Sequence, residues 1–358
     1  MRVLPDREWI QLSTGIRDYS FANRDQDSML LIDVNGRLVI NQNDSADYGE
    51  SFRVRRMAKH FKEVYMLQLH GWGGADMLNL FDPTGRKLTS IEQKRRPIAP
   101  RAQKSALAMG ANKVIPFSCF QRYQREDSAW ANNLIPELAD YQADALLNWP
   151  EVLPAFVRVN CETDEITPIN PPRTPRVIRK PEEFGDSWSD PLTADDKTKI
   201  RRYFTARETL RDHFGFIEVS AGGSRVTVDL NPNKRNVGIS FECPRNSLIT
   251  SIEHECFDDL LIGNYMRTTL HNVEGLYPDF APYVAKYADN GGAKTKRELW
   301  VYFGYYYMRD PIAHTLKLVA DASQMMVRKA VPEDSAMFRF AKRSYYSYAA
   351  RRAGQPFR

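Results

Sequence analysis

The sequence predicts an α/β domain followed by a smaller α+β region. In the N-terminal part, apolar runs of strand length alternate with longer segments whose apolar residues recur at helical spacing. The resulting order, strand-strand-helix-strand-helix-strand, is typical of a layered α/β domain. A proline-rich stretch comes next, and the order of strands and helices changes beyond it.

The elements of the first region are predicted from local patterns. Asn35-Gly36 between two apolar runs is a strong signal for a β-hairpin. Gly110 stands where the second helix should end, because glycine readily adopts the left-handed conformation found there. The predicted strands are 29–34, 37–41, 64–69 and 113–117, and the predicted helices are 52–62 and 93–109.

The second region is predicted in the same way. Thr193 and Asp195 are both candidates for the N-cap of its first helix. Asp258 and Asp259 are interpreted as neighbours on an extended segment, which would point them to opposite faces and prevent them from acting as a carboxylate pair. The predicted elements are helices at 193–213, at 246–253 and from about Pro311, and strands at 216–219, 225–230 and 237–241.

Composition changes suggest the domain boundaries. We expect an α/β domain at 1–147, a proline-rich connector at 148–192, an α+β region at 193–330 and a basic-aromatic tail at 331–358. The tail has no acidic residue after Asp334. Such a tail could contact phosphates or a membrane surface, but tails of this kind are more often docked by their aromatic residues.

Composition also excludes several classes of protein. No apolar run reaches the ~18 residues that a transmembrane helix needs, and the first residues do not form a signal peptide, so a cytoplasmic protein is expected. The net charge of +5, from 50 basic and 45 acidic residues, gives no reason to expect nucleic-acid binding. The 4 cysteines lack zinc-finger spacing, and no Gly-x-Ser-x-Gly nucleophile motif is present.

Two strand ends carry residues suited to chemistry. Asp44 closely follows the predicted strand 37–41, where a carboxylate can hold a metal or act as a base, although capping the next turn is the more common role. His70 follows the strand 64–69 and opens the segment His70-Gly71-Trp72-Gly73-Gly74. Its glycines would let the backbone approach a ligand closely, but a glycine-rich turn with a satisfied histidine is the more common arrangement for such a pattern.

These segments resemble the metallo-β-lactamase-fold catalytic region of the CMP-N-acetylneuraminic acid hydroxylase family. The segments that correspond in order are Glu8–Leu12, Asp27–Asp44, His70–Ala75, Val114–Phe117 and Phe257–Arg267. The resemblance implies the second half of a metallo-β-lactamase-like αββα sandwich, followed by the smaller α+β region. It also implies a zinc- or iron-dependent hydrolase or hydroxylase that acts on a phosphorylated or sugar-nucleotide small molecule.

The resemblance also implies roles for individual residues. Asp44 and His70 would be metal ligands, and the substrate pocket would be lined by Gly71, Trp72, Gly73, Gly74, Phe117 and Arg267. The His-x-His-x-Asp-His loop of the family is missing before Trp9. We therefore expect either a separate N-terminal metal-binding half or an oligomer partner. The alternative is a non-catalytic binding or scaffold relative, because one or two ligands cannot hold a catalytic zinc.

Overall fold

The computed structural model describes residues 5–22, 27–45, 47, 50–70, 79–88, 97–117, 120–172, 175, 177–309, 311–312, 314–315, 318–319 and 322. They form a mixed α/β structure with two main sheets. The strands are β1 (Trp9–Ser13), β2 (Ile16–Ala22), β3 (Ser28–Val34), β4 (Arg37–Asn43), β5 (Glu63–Leu69), β6 (Leu80–Phe81), β7 (Lys113–Phe117), β8 (Glu151–Val152), β9 (Val157–Val159), β10 (Ile166–Pro168), β11 (Phe216–Ala221), β12 (Ser224–Asp229), β13 (Gly238–Glu242) and β14 (Arg267–His271).

Several helices cover these sheets. The α-helices are α1 (Glu50–Ala58), α2 (Ile98–Met109), α3 (Ala194–Thr205), α4 (Leu210–His213), α5 (Arg245–Glu253), α6 (Phe257–Ile262) and α7 (Lys296–Arg309). A π-helix spans Pro282–Asn290. Two sequence signals at helix ends are confirmed. Gly110 ends α2 in the left-handed conformation, with φ of 80°, and Thr193 is the N-cap of α3 in a reciprocal capping box with Asp196.

The first sheet has the strand order β1-β2-β3-β4-β5-β7-β8. Strands β1 to β4 form an antiparallel meander, and β4, β5, β7 and β8 run parallel to one another. The predicted hairpin between β3 and β4 is confirmed, with positive φ values of 50° at Asn35 and 79° at Gly36. The parallel half matters most for function, because parallel strands bring their carboxyl ends to one edge.

The second sheet has the strand order β12-β11-β13-β14-β6. Strand β11 pairs antiparallel with β12 and parallel with β13, while β14 pairs antiparallel with β13 and parallel with β6. Strand β6 comes from the N-terminal part of the chain, between the two parallel strands β5 and β7 of the first sheet. The chain therefore contributes to the second sheet before it completes the first.

Two separate apolar cores support the sheets. In the first core, Leu31, Ile40 and Met66 of the first sheet pack with Val54 of α1 and Ala106 of α2. The alternation of buried and half-buried residues along β3 and β4 places these side chains on one face of the sheet.

The second core lies between the second sheet and its helices. It is rich in aromatic side chains, including Phe204, Phe241, Phe257 and Phe280. The rings of Phe241 and Phe257 meet edge to face, with centroids 5.2 Å apart. Each sheet is therefore stabilised by its own buried cluster.

The proline-rich connector contains regular structure. Strands β9 and β10 form a small antiparallel pair, and Asp164 in the turn between them pairs with Arg37 of β4, with 2.7 Å between Nε and Oδ1. Proline-rich composition indicated an irregular segment, but the ion pair holds this turn against the first sheet.

Two predictions about the second region were wrong, and one was incomplete. Asp258 and Asp259 lie in helix α6, where an extended segment was expected. The described residues from Pro311 onward are helical as predicted, but helix α7 at Lys296–Arg309 precedes them and was not predicted. The expected continuous helix over 193–213 is divided into α3 and α4. Arg207 lies in the break, with its side chain buried beside Tyr203, so tertiary packing interrupts a locally helical pattern.

Within the described part of the chain, no helix combines the length and the apolar character required to cross a bilayer. The predicted tail at 331–358 lies outside the described residues.

Candidate functional site

The carboxyl edge of the first sheet is built by three adjacent parallel strands. Asn43 of β4 is in register with Gln68 of β5, and Leu69 of β5 is in register with Phe117 of β7. Helix α1 follows β4, and α2 lies between β5 and β7 along the chain. Helix α1 leads directly from the end of β4 to the beginning of β5, so it starts at this edge. Helix α2 leads into β7, and Gly110 at its end lies against Arg55 and Ala58 near the end of α1, so the two helices run in the same direction and α2 also starts toward this edge.

Three of the sequence-predicted site residues lie at this edge. Asp44 directly follows β4 and is exposed, and its Oδ1 accepts a hydrogen bond of 2.8 Å from the Asn43 amide. His70 directly follows β5 and is buried, with 7% exposure. Phe117 is the half-buried last residue of β7. The structure thus brings Asp44, His70 and Phe117 to neighbouring strand ends.

The other predicted site residues are not placed at this edge. Gly71, Trp72, Gly73 and Gly74 lie outside the described residues. Arg267 is the exposed first residue of β14 in the second sheet, and its guanidinium lies 4.1 Å from the centre of the Phe81 ring on β6. Its role in substrate binding stays a prediction.

His70 has an unusual electrostatic environment. Burial and, to a smaller extent, the nearby positive charge of Arg101 in α2 together lower its pKa to about 4. The imidazole is therefore neutral at physiological pH, which is the form that accepts a hydrogen bond or binds a metal. Its Nε2 atom is buried and has no hydrogen-bond partner.

Other polar atoms at the same strand ends are also buried without a partner. Among the described residues, these atoms are Asn41 Oδ1, Gln42 Oε1, Asn43 Oδ1 and Gln68 Oε1. A buried acceptor that lacks a donor costs about 1–3 kcal/mol. Their concentration at the ends of β4 and β5 is the pattern expected where a ligand supplies the missing donors.

The alternation of the strands separates these atoms into two sets. Gln42 follows Ile40 on the buried face of β4, and Gln68 and His70 follow Met66 in the same way on β5, whereas Asn41 lies on the opposite face. An irregularity between Asn41 and Asn43 shifts the register here, so that Gln68 pairs with Asn43. The Gln42 amide donates to the Ser45 carbonyl at 2.8 Å, so its Oε1 remains as an acceptor. Gln42, Gln68 and His70 thus form an acceptor set beside the starts of α1 and α2.

The start of α2 favours a negative group. Pro97 is the N-cap and provides no side-chain hydrogen bond, and the first turn contains no acidic residue. The unpaired N–H groups and the dipole of a helix give its N-terminus a partial positive charge. Arg101 in this turn adds a full charge.

The described residues do not fit a catalytic zinc or iron centre. No group of three or more His, Cys, Asp and Glu side chains that could hold a metal is found among them. Asp44 and His70 would supply at most two of the three protein ligands that a catalytic zinc usually has. We derive no chemical step through a metal, and the prediction of zinc or iron stays a prediction.

A second polar arrangement lies on the second sheet. Ser240 Oγ lies 3.2 Å from Glu218 Oε1 and 2.9 Å from His271 Nε2. A carboxylate only accepts hydrogen bonds, so while the Ser240 proton is directed to Glu218, His271 donates to Ser240 from Nε2. In that arrangement the imidazole is not placed to remove the serine proton.

Comparison with known proteins does not identify a family. No protein-family model matches the chain, and its sequence matches no curated protein. The function must therefore be inferred from the site itself.

Sequence reasoning missed the amides at the strand ends. Gln42 and Gln68 look like ordinary polar residues at the end of an apolar run. One signal could have revealed them. Gln42 and Gln68 lie near the ends of β4 and β5, on the face of each strand that otherwise carries apolar side chains. Recognising it required knowing that β4 and β5 are adjacent and parallel.

Proposed function

We propose that the protein binds a small polar molecule with an anionic group, of the phosphorylated or sugar-nucleotide class, at the carboxyl edge of the first sheet. The observation that carries this proposal is the acceptor set of Gln42, Gln68 and His70, which is buried without hydrogen-bond donors. Hydroxyl or amino groups of the ligand would donate to these atoms.

The anionic part of the ligand would lie at the start of α2. The uncapped N-terminus of this helix and the charge of Arg101 both favour a phosphate there. Binding at this position would place a sugar or base within reach of the strand ends. Asp44 and Phe117 would line the rim of the same edge.

The experiment is calorimetric titration of the full chain with a sugar nucleotide, the corresponding nucleoside, and inorganic phosphate. We expect the sugar nucleotide to bind best. Gln68→Ala and His70→Ala should each weaken its binding roughly tenfold or more, because each removes an acceptor from a desolvated site.

His60→Ala is the matched control. His60 is exposed in the turn between α1 and β5, at the opposite edge of the sheet, so its loss should not change binding. Failure of the wild-type chain to bind any of the probes would contradict the proposal. Equal affinity in the His70→Ala, Gln68→Ala and wild-type proteins would contradict it as well.

A second candidate is a metal-dependent hydrolase or hydroxylase of the metallo-β-lactamase type. Two observations favour it. The Nε2 atom of the neutral His70 has no hydrogen-bond partner, and the exposed Asp44 carboxylate follows the end of the neighbouring strand. On this reading the two sheets would correspond to those of an αββα sandwich. The non-catalytic alternative is favoured by the shortage of ligands among the described residues.

Metal content distinguishes these candidates. About one equivalent of zinc or iron, measured by plasma mass spectrometry and lost in both Asp44→Ala and His70→Ala, would support the enzyme. Metal-free, folded protein that still binds the sugar nucleotide would support the non-catalytic binding protein.

A further inference from the structure

Helix α7 has apolar side chains on two opposite faces. Leu299 and Tyr302 are buried against the protein, in a cluster that includes Ala293. On the other side, Trp300 and Met308 are 81% and 72% exposed. A helix with apolar side chains on two opposite faces is normally buried on both, and no described residue covers the outer face of α7.

The outer face has the spacing of a helix-pairing seam. Val301, Tyr305, Met308 and Ile312 follow one another at intervals of four, three and four residues, and all are exposed. This alternation is the a/d pattern with which two helices interdigitate side chains. Residues 311–312, which lie beyond the end of α7, are also helical, and Ile312 is 76% exposed.

We infer that this seam pairs with the same seam of a second copy of the chain, forming a homodimer through α7. Trp300, Val301, Tyr305, Met308 and Ile312 together expose on the order of 800 Å² of mostly apolar surface. A standard stable interface buries ~800 Å² per partner, so pairing would have to cover nearly this whole face together with the residues around it. Gly304 lies beside the seam with open space around it, which would let a second backbone approach closely.

Two of the three basic groups on α7 are paired within the chain. Lys296 pairs with Asp212 at 2.8 Å, and Arg309 pairs with Asp6. Arg297 is exposed, and among the described residues it has no ion pair, so one basic side chain of α7 remains beside the seam. An interfacial membrane helix presents a whole basic face beside its apolar face, so these charges favour a protein partner over an anionic membrane surface. The inference does not depend on the proposed ligand site.

Sedimentation velocity of the full chain tests the inference. We expect the wild-type protein to sediment as a dimer. Val301→Glu, Met308→Glu and Ile312→Glu should each weaken dimerisation roughly a hundredfold, since each buries an unpaired charge in the seam. The circular dichroism spectrum should not change, because these side chains are exposed within one chain.

Leu147→Glu is the control, since Leu147 is 88% exposed and lies outside α7. It should leave the dimer intact. A monomeric wild-type protein would overturn the inference, and so would a dimer that persists in all three seam variants. Co-sedimentation of the wild-type chain with anionic phosphatidylserine vesicles, abolished by Met308→Glu, would overturn it in favour of a membrane partner.

Discussion

Arg207 and Asp289 form an ion pair that is almost completely withdrawn from solvent, with side-chain exposures of 2% and 0%. Asp289 also accepts hydrogen bonds from the Tyr203 hydroxyl at 2.7 Å and from the Phe257 backbone N–H at 3.1 Å. The pair therefore joins α3, the start of α6 and the π-helix inside the second core.

Replacing Asp289 by asparagine should strongly destabilise the protein. The change leaves the guanidinium of Arg207 buried without its counter-charge, which costs about 3–5 kcal/mol. Chemical denaturation would measure the loss in the free energy of unfolding. Asp195→Asn is the control, because Asp195 forms a solvent-exposed pair with Lys199 and its loss should have no measurable effect. Equal stability of the two variants would contradict this role for Asp289.

His70 should make stability depend on pH between 6.5 and about 4. Its folded-state pKa of about 4 lies below the ordinary value of 6.5, so the unfolded chain binds a proton first as the pH falls. The His70 contribution to stability is complete above pH 6.5 and declines by about 3 kcal/mol as the pH approaches 4. Denaturation curves across this window should show the decline in wild type and in His60→Gln. His70→Gln should remove this component, and an unchanged slope would argue against a buried neutral histidine.

Asp196 should act in a lower pH window. Burial raises the pKa of this carboxyl group, but hydrogen bonds from Arg245 and Thr193 outweigh it and hold the pKa at about 2, below the ordinary 3.8. Its stabilising effect is therefore present above pH 3.8 and is lost as the pH falls toward 2. Thermal unfolding midpoints should fall less steeply over this range in Asp196→Asn than in wild type. The exposed neighbour Asp195, replaced by asparagine, should behave like wild type.

Gly238 should not tolerate a side chain, because the ring of Phe216 covers it. A Cβ atom at Gly238 would lie 2.5 Å from this ring, which is too close for any real contact. We expect Gly238→Ala to lower the free energy of unfolding by about 1–3 kcal/mol through overpacking. In a Phe216→Ala background the same change should cost much less. Purely additive effects would show that the ring is not the obstacle. Gly275→Ala has only an ordinary contact at 4.0 Å and is the control.

Local patterns predicted much of the first sheet. The Asn35-Gly36 turn fixes the β3–β4 hairpin because both residues readily adopt positive φ. The predicted strand 113–117 coincides with β7, and the Gly110 end of α2 was also predicted correctly. In each case the decisive interactions are between residues that are close in sequence.

Local patterns were less informative where distant contacts decide the conformation. The pair Asp258-Asp259 was expected in an extended segment but lies in α6, whose Phe257 and Leu260 are buried in the second core. Strand β6 has only Leu80 and Phe81, and it exists as a strand because β14 pairs with it. Such short elements have no periodicity of their own.

The sequence by itself determined the mixed α/β composition, the hairpin and the main helix ends. It also placed Asp44 and His70 just after the ends of strands, as candidate site residues. These features depend on backbone preferences and on the alternation of apolar residues, both of which are local. The tertiary structure alone decided that β4, β5 and β7 are adjacent and parallel, which brings Asp44, His70 and Phe117 to one edge, and that Arg267 belongs to the other sheet. It alone left the Oε1 atoms of Gln42 and Gln68 buried without a hydrogen-bond partner, and the seam of α7 exposed among the described residues. Burial and hydrogen-bond satisfaction depend on residues far apart in the chain, so no local pattern could reveal them.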